Sequence, residues 1–402
     1  MESKKKIFSD SLWSVAGLVV MNVALQLAVY PIWERRLGGA ALGDILYLIS
    51  LMSIFSVSMG VSVNYARLRL SAAAKTRNVP YLVILACASL VALDVAFVIS
   101  MLGGVDMGFL ETLLFGFLMC ATMWRYYADV EYKLYLNYKR FFLYYALIGV
   151  GYLAGILIFL LTELWALSLL VGELFGLAYV SLYGRIFRID GEPFTPAFDS
   201  AAKLSLIFFC SEAMSTFIFN ADRIMLKSLL GAVAVSDYYV ASLLGKTVAL
   251  LTVPLSGVLI GYLAKYKGAL TRKRMDIITV VSGFAVLIGT GICTVASQII
   301  IPILYPHQLD RISQYFVEAN LAQVLYFVAS VVSVILLRFA RSKYQIYINT
   351  AYAVFFALIC IPCAIFGGFG AFCTGLVITS LVRLLTSLGL GYYTVLFKKN
   401  VK

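Results

Sequence analysis

The chain has 402 residues, of which 62% are hydrophobic and 13% are charged, and its formal net charge is +12. Soluble domains are about half apolar and about a quarter charged, so this composition excludes an ordinary water-soluble globular protein. A bilayer accepts any number of apolar segments whose backbone groups bond internally, and the composition therefore predicts an all-α polytopic membrane protein.

About twelve apolar stretches follow one another, each close to the ~20 residues that a transmembrane helix needs. The fourth runs into Arg125, and the seventh contains Glu212 and Asn220. The first follows a basic N-terminus without a small-residue cleavage site, which predicts a retained span and no cleaved signal peptide. The stretches begin near Ser11, Leu42, Val79, Gly108, Phe141, Trp165, Lys203, Ser236, Asp276, Tyr315, Tyr344 and Gly370.

Basic residues alternate between heavily and lightly loaded loops, as the positive-inside rule requires of a correct topology. Most of them, Arg67 and Arg125 included, fall on the side of the N-terminus, which predicts that both termini are cytoplasmic. Basic loops beside anionic lipid headgroups explain the net charge without a nucleic-acid partner. The opposite side receives only Arg35, Arg36, Arg223, Lys227 and Arg311.

The longest polar stretch, Arg185–Lys203, lies between the sixth and seventh predicted spans. It predicts an N-terminal six-helix bundle over residues 1–190 and a C-terminal six-helix bundle over residues 191–402. A short repeat supports this division, because Leu37–Asp44 and Leu230–Asp237 share Leu-Gly, an Ala and the final Asp. Six spans are an even number, so the two halves are predicted to be parallel repeats about the membrane normal.

Ionisable residues inside spans cost about 2.5–3.5 kcal/mol each on insertion scales, so they usually face a cavity or a partner. Most of the candidates belong to the second half of the chain, and no buried cation is expected in the first half to match Lys246 and Arg383. The candidates are Asp94, Glu173, Glu212, Lys246, Glu318 and Arg383.

Three predicted spans carry polar rows at helical spacing. Such rows line a water-filled lumen or form hydrogen bonds between packed helices. Lys246 and Glu212 either serve a ligand or neutralise each other across one hairpin, whereas Arg383 has no acidic residue in its span and fits a cavity or an anionic ligand better. The rows are Glu212, Thr216, Asn220 and Arg223; Tyr239, Ser242 and Lys246; and Thr379, Arg383 and Thr386.

Several local features have a structural and a functional interpretation. Pro254, Gly257 and Gly261 in the eighth span relieve local packing or take part in gating. A tyrosine cluster before the fifth span is typical of interfacial anchors, although contact with sugar rings or lipid headgroups is an alternative. The cluster comprises Tyr126, Tyr127, Tyr132, Tyr135 and Tyr138.

Motifs for catalysis and metal binding are absent from the sequence. It contains no GxxxxGK[ST] phosphate loop, no HExxH and no GxSxG. The seven cysteines lie within apolar runs, and His307 is the only histidine. We therefore expect no metal, no cofactor and no enzymatic activity.

Two segments resemble a known family. Asn220–Gly231 followed by Val235–Ala241, and Leu12–Trp13 followed by Arg36–Gly38 and Gly43, resemble the corresponding segments of polysaccharide or O-antigen flippases. These flippases belong to the multidrug/oligosaccharidyl-lipid/polysaccharide (MOP) exporter superfamily. Together with twelve spans in two halves, the resemblance covers essentially the whole chain.

The resemblance implies a multi-pass protein of the bacterial inner membrane. By alternating access, it would move an undecaprenyl-diphosphate-linked repeat unit to the periplasmic leaflet, alongside glycan polymerase and assembly proteins. The family's cationic lumen fits Lys246 and Arg383, because Arg and Lys compensate a diphosphate. Arg223, Glu212 and Asn220 are further lumen candidates, and Arg35 and Arg36 would lie at the outer mouth.

Two alternatives are open at this point. In a cation-coupled multidrug exporter of the same fold, carboxylates such as Asp94, Glu173 or Glu212 would bind H⁺ or Na⁺ and cationic drugs, and Glu318 is a further candidate for ion coupling. The basic excess in the second half disfavours this alternative. A membrane glycan polymerase would need an external catalytic loop, and the predicted external loops are short.

Overall fold

The computed structural model describes residues 2–71, 76–192, 196–250, 268, 270–340 and 343–397. Within these ranges the chain forms helices and connecting turns without a β-strand, which confirms the predicted all-α class. Eight described stretches are long and apolar enough to cross a membrane by length and composition. Pro254, Gly257 and Gly261, for which a gating role was one interpretation, lie outside the described ranges.

The chain divides into two compact units, Met1–Ile224 (unit 1) and Met225–Lys402 (unit 2). Two short π-helical segments, Leu25–Val29 and Ser53–Val57, interrupt the first helices of unit 1. Its α-helices are α1 Glu2–Ala24, α2 Tyr30–Met52, α3 Ser58–Ser71, α4 Val79–Leu102, α5 Phe109–Leu134, α6 Tyr138–Thr162, α7 Trp165–Tyr183 and most of α8 Pro196–Leu230.

Unit 2 has an apolar core in which Leu325 and Val332 pack with Met275, Leu384 and Leu388. A third π-helical segment, Phe356–Cys360, follows one of its helices. After the end of α8, the described α-helices are α9 Ala232–Ala241, α10 Leu243–Leu250, α11 Arg272–Leu304, α12 Leu309–Ile312, α13 Phe316–Phe339, α14 Lys343–Phe355 and α15 Ile361–Phe397.

The helix positions agree with the apolar stretches of the sequence, because each predicted start lies in a described helix or immediately before one. Two of the eight long stretches contain a non-helical glycine, Gly38 in α2 and Gly368 in α15. Each of these glycines separates two predicted spans. The exact count of twelve spans and the cytoplasmic placement of both termini stay predictions.

The repeat found in the sequence has a structural counterpart in the backbone. Gly38 has φ 85° and ψ 166°, and Gly231 has φ 88° and ψ 178°. This region of conformational space is essentially restricted to glycine. The two segments therefore share a backbone turn that their common Leu-Gly sequence permits.

Side chains of helix α8 contact residues of the helices that precede it. The Phe55 and Phe209 rings lie 5.8 Å apart, and Ser58 donates a hydrogen bond of 3.0 Å to Thr216. The compact units consequently separate inside α8, at Ile224 and Met225, and not in the polar linker. The predicted bundles, 1–190 and 191–402, stay a prediction.

Glycines allow α6 and α7 to approach closely. A Cβ atom at Gly151 of α6 would lie 2.7 Å from the Cα of Gly172 of α7, and one at Gly176 would meet Ile148 at 2.6 Å. Small residues at helix interfaces are the usual device for close packing within membranes. This approach brings Glu173 of α7 to Tyr152 of α6.

Candidate functional site

Arg383 of α15 is a buried cation held by aromatic rings. Its Cζ atom lies 3.9 Å from the ring centroid of Tyr326 and 5.2 Å from that of Tyr352. Its Nη2 donates to Asn349 Oδ1 at 3.3 Å. Among the described residues no carboxylate forms a salt bridge with it, and its buried Nε has no hydrogen-bond partner. The guanidinium therefore has donor capacity for an anion.

Lys246 of α10 is the second buried cation of unit 2, with 8% of its surface exposed. Its Nζ atom lies 5.4 Å from the ring centroid of Tyr238 of α9. The Tyr238 hydroxyl accepts a hydrogen bond of 2.8 Å from Gln323, and its ring meets Phe372 edge-on at 5.6 Å. The tyrosine that faces the ammonium group is thus fixed from two sides.

Helix α13 packs against both α10, which carries Lys246, and α15, which carries Arg383. Gln323, which contacts Tyr238, and Tyr326, which faces Arg383, are three residues apart and share one side of this helix. We call Lys246, Arg383, Tyr238, Gln323 and Tyr326 the unit 2 cationic cluster. It presents two cations and two phenol rings around one helix face.

Unit 1 contains a buried ion pair that the sequence analysis missed. Arg125 Nε of α5 lies 2.5 Å from Glu173 Oε2 of α7, and Tyr152 of α6 donates to Glu173 Oε1 at 2.8 Å. The Arg125 guanidinium also lies 4.1 Å from the ring centroid of Tyr126. Three helices of unit 1 therefore meet at this pair.

The expectation that the first half lacks a buried cation is wrong. Arg125 and Arg67, both assigned to cytoplasmic loops, are each 4% exposed. They are buried because α5 and α3 extend beyond the apolar stretches and pack on neighbouring helices. Arg67 donates to the Tyr127 hydroxyl and to Asn78 Oδ1, each at 2.5 Å.

The fold is similar to those of several solved transporters. Lipid II flippase MurJ in an inward closed conformation has a TM-score of 0.69 at 15% identity, with 94% of this chain and 87% of that chain covered. The Vibrio cholerae MATE transporter VcmN in its bent form has a TM-score of 0.64 at 13% identity, covering 97% and 96%. An outward-facing multidrug resistance MATE family transporter of the MOP superfamily has a TM-score of 0.60 at 16% identity, covering 99% and 97%.

This chain has the fold of these transporters. No family model matches the sequence, and no curated protein matches it. The fold likeness confirms the polytopic α-helical class that the sequence predicted. At such low identity it extends to the fold alone.

The polar row of α8 forms hydrogen bonds to other helices of unit 1. Thr216 accepts from Ser58 at 3.0 Å, and Arg223 Nη1 donates to Ser50 Oγ of α2 at 3.4 Å. Asn220 is 7% exposed and donates to the Thr216 carbonyl at 2.9 Å. The packing interpretation of this row thus has direct contacts in its favour.

Glu212, at the start of that row, is half-buried. It belongs to unit 1 and Lys246 to unit 2, so their mutual neutralisation stays a prediction.

The other candidate residues are not members of the unit 2 cationic cluster. Asp94 is exposed on α4 among exposed apolar side chains such as Leu90 and Val98. Glu318 is half-buried in the first turn of α13. Within the described part of the chain, no group of three His, Cys, Asp or Glu residues could hold a metal ion. Arg35 and Arg36 are exposed on α2, just before the break at Gly38.

A sequence signal existed for the ion pair of unit 1. Arg125, Asp129 and Lys133 follow one another at a spacing of four, which places them on one face of α5. Tyr145 of α6 donates to both oxygens of Asp129 at 3.0 Å, and Lys133 lies 3.9 Å from that carboxylate. The same spacing indicates that α5 continues as a helix beyond its apolar part.

Proposed function

We propose that this protein is a flippase of the bacterial inner membrane. Its substrate would be an undecaprenyl-diphosphate-linked oligosaccharide, moved from the cytoplasmic to the periplasmic leaflet by alternating access. The product would serve the assembly of O-antigen, capsule or exopolysaccharide. The observation that supports this proposal most is that Arg383 is buried against tyrosine rings and has no carboxylate partner among the described residues.

A diphosphate needs positive charge along its path, because the membrane interior does not compensate it. Arginine offers planar donors that match phosphate oxygens, and lysine adds a compact charge. Lys246 lies over Tyr238, which bonds to Gln323 of α13, and Arg383 lies over Tyr326 of the same helix. The cluster would offer these two positive charges to a ligand that carries two phosphates. The tyrosine hydroxyls of the cluster are further donors for phosphate oxygens.

The alternative is a cation-coupled multidrug exporter, and two observations favour it. The fold is similar to that of MATE transporters. Glu318 has a buried Oε2 without a hydrogen-bond partner among the described residues. However, Glu173 is neutralised by Arg125, and Asp94 lies exposed among apolar side chains. Arg383, a buried cation with no carboxylate partner among the described residues, suits an anionic substrate better than a cationic drug.

Complementation of a strain that lacks this protein tests the proposal. We expect Lys246→Ala and Arg383→Ala to reach the membrane at normal levels and to fail to restore surface glycan. Arg383→Lys, which keeps the charge and loses the planar donors, should restore it in part. The matched control, Arg272→Ala with Lys273→Ala, removes two exposed charges of the same unit and should restore it fully.

The experiment also separates the two functions. Full restoration of surface glycan by the Lys246→Ala/Arg383→Ala double variant would overturn the cationic-cluster mechanism. If the strain that lacks this protein instead loses resistance to cationic drugs and keeps its surface glycan, the exporter alternative replaces the flippase proposal.

A further inference from the structure

Unit 1 contains a polar pocket, and none of the residues proposed to bind the transported substrate lines it. Its volume is about 460 Å³, within the range of ~300–1,000 Å³ typical of small-ligand sites. It lies where the end of α5, the start of α6 and the end of α7 meet the turn that follows α7. The lining side chains used below are Glu131, Tyr135, Arg140, Tyr179, Arg185 and Arg188.

The pocket has an excess of positive charge. Arg140, Arg185 and Arg188 contribute three guanidinium groups, and each of these residues is exposed. Arg185 lies over the Tyr135 ring, with its Cζ 5.9 Å from the centroid. Converging guanidinium groups beside phenol hydroxyls are typical of sites that recognise phosphate oxygens.

One acidic residue is built into the same pocket. Glu131 is 8% exposed, and its buried Oε2 has no hydrogen-bond partner among the described residues. A buried carboxylate oxygen without a partner is costly, and a bare phosphate would leave it unsatisfied and repel it. A hydroxyl group of a ligand would donate a hydrogen bond to it.

We propose that this pocket binds a phosphate ester that also carries hydroxyl groups, such as the glycerol phosphate headgroup of an anionic lipid. The arginines bind the phosphate, and Glu131 accepts from a headgroup hydroxyl. The pocket lies among the tyrosines that the sequence predicts at the cytoplasmic membrane surface, where anionic lipids attract basic segments. A soluble polyol phosphate has the same chemistry and is the other source of such a ligand.

This site is independent of the proposed transport activity. Its test measures binding alone, so either result leaves the complementation experiment unaffected. The purified full-length protein in detergent is titrated with phosphatidylglycerol, phosphatidic acid, phosphatidylcholine or glycerol 3-phosphate, and binding is measured by native mass spectrometry.

We expect Arg140→Gln/Arg188→Gln to weaken binding of phosphatidylglycerol by about tenfold or more, since two charge-assisted hydrogen bonds are lost. The matched control, Arg69→Gln/Lys139→Gln, removes two exposed charges outside the pocket and should weaken it less than about twofold. Glu131→Gln should narrow the preference for phosphatidylglycerol over phosphatidic acid, which has no headgroup hydroxyl.

The two sources of the ligand give different results. A loss of glycerol 3-phosphate binding in the pocket variant, with phosphatidylglycerol binding unchanged, identifies the soluble ester as the ligand. The proposal is overturned if the pocket variant and the control weaken both probes equally, because diffuse surface charge then explains the binding. It is also overturned if phosphatidylcholine binds as tightly as phosphatidylglycerol.

Discussion

Two buried arginines in this protein have opposite electrostatic surroundings. Arg125 is paired with Glu173, so the fold itself neutralises it. Arg383 rests on the rings of Tyr326 and Tyr352 and contacts one amide oxygen. Cation–π contacts lower the cost of burial without cancelling the charge. Arg383 is therefore suited to meet an anion, whereas Arg125 is suited to hold helices together.

The ion pair of unit 1 can be tested through stability. Glu173→Gln removes the carboxylate that is paired with Arg125, and such changes cost about 3–5 kcal/mol in buried pairs. We expect a clear fall in the melting temperature of the purified protein. The double variant Arg125→Met/Glu173→Leu should lose less stability than Arg125→Met and Glu173→Leu lose in sum, because it leaves neither charge buried without its partner.

The exposed Glu192 provides the control for this cycle, and Glu192→Gln should leave the melting temperature unchanged. Strict additivity of Arg125→Met and Glu173→Leu would mean that the two residues do not stabilise the protein as a pair.

At the scale of elements, glycine determines where long helices break. Gly38 and Gly231 have almost the same φ and ψ, and a Cβ at either would meet nothing within 4 Å. Steric crowding by neighbours therefore does not explain these glycines. The reason is conformational, because side chains larger than hydrogen are strained in this region.

Gly231→Ala should consequently lower stability by about 1–3 kcal/mol through backbone strain alone, seen as a lower melting temperature. Gly283 is a suitable control, because it lies inside helix α11 and its Cβ would also meet nothing within 4 Å. Alanine is favoured over glycine inside a helix, so Gly283→Ala should keep or raise the melting temperature. An equal loss in both variants would contradict the strain argument.

At the scale of the whole molecule, the distribution of charge predicts the topology. Basic residues concentrate in alternate predicted loops, and such a bias sets the orientation of membrane proteins. The loop between α4 and α5 would then face the periplasm, and the start of α6 would face the cytoplasm.

Cysteine accessibility tests this orientation in a variant whose seven native cysteines are replaced. A membrane-impermeant maleimide should label Asp106→Cys in intact spheroplasts and Lys139→Cys only after permeabilisation. Both positions are exposed, so labelling depends on which side of the membrane each residue faces. The parent variant without cysteines should stay unlabelled, and the reverse pattern would invert the predicted topology.

The sequence alone predicted the helical class and the positions of the helices, and it contained the Leu-Gly repeat whose glycines form matching turns. These features are local, since a run of about 20 apolar residues or a Leu-Gly turn needs no distant partner. It also located Lys246 and Arg383, because a cation inside an apolar run is conspicuous wherever the run packs.

Only the tertiary structure decided which charged groups meet. Arg125 and Glu173 come from different helices, and their pairing depends on how α5 packs against α7. In sequence, the polar row of α8 fits a lumen or a helix interface, and its contacts with Ser50 and Ser58 favour the interface. Helical spacing identifies the face that a residue occupies, whereas packing determines what that face contacts.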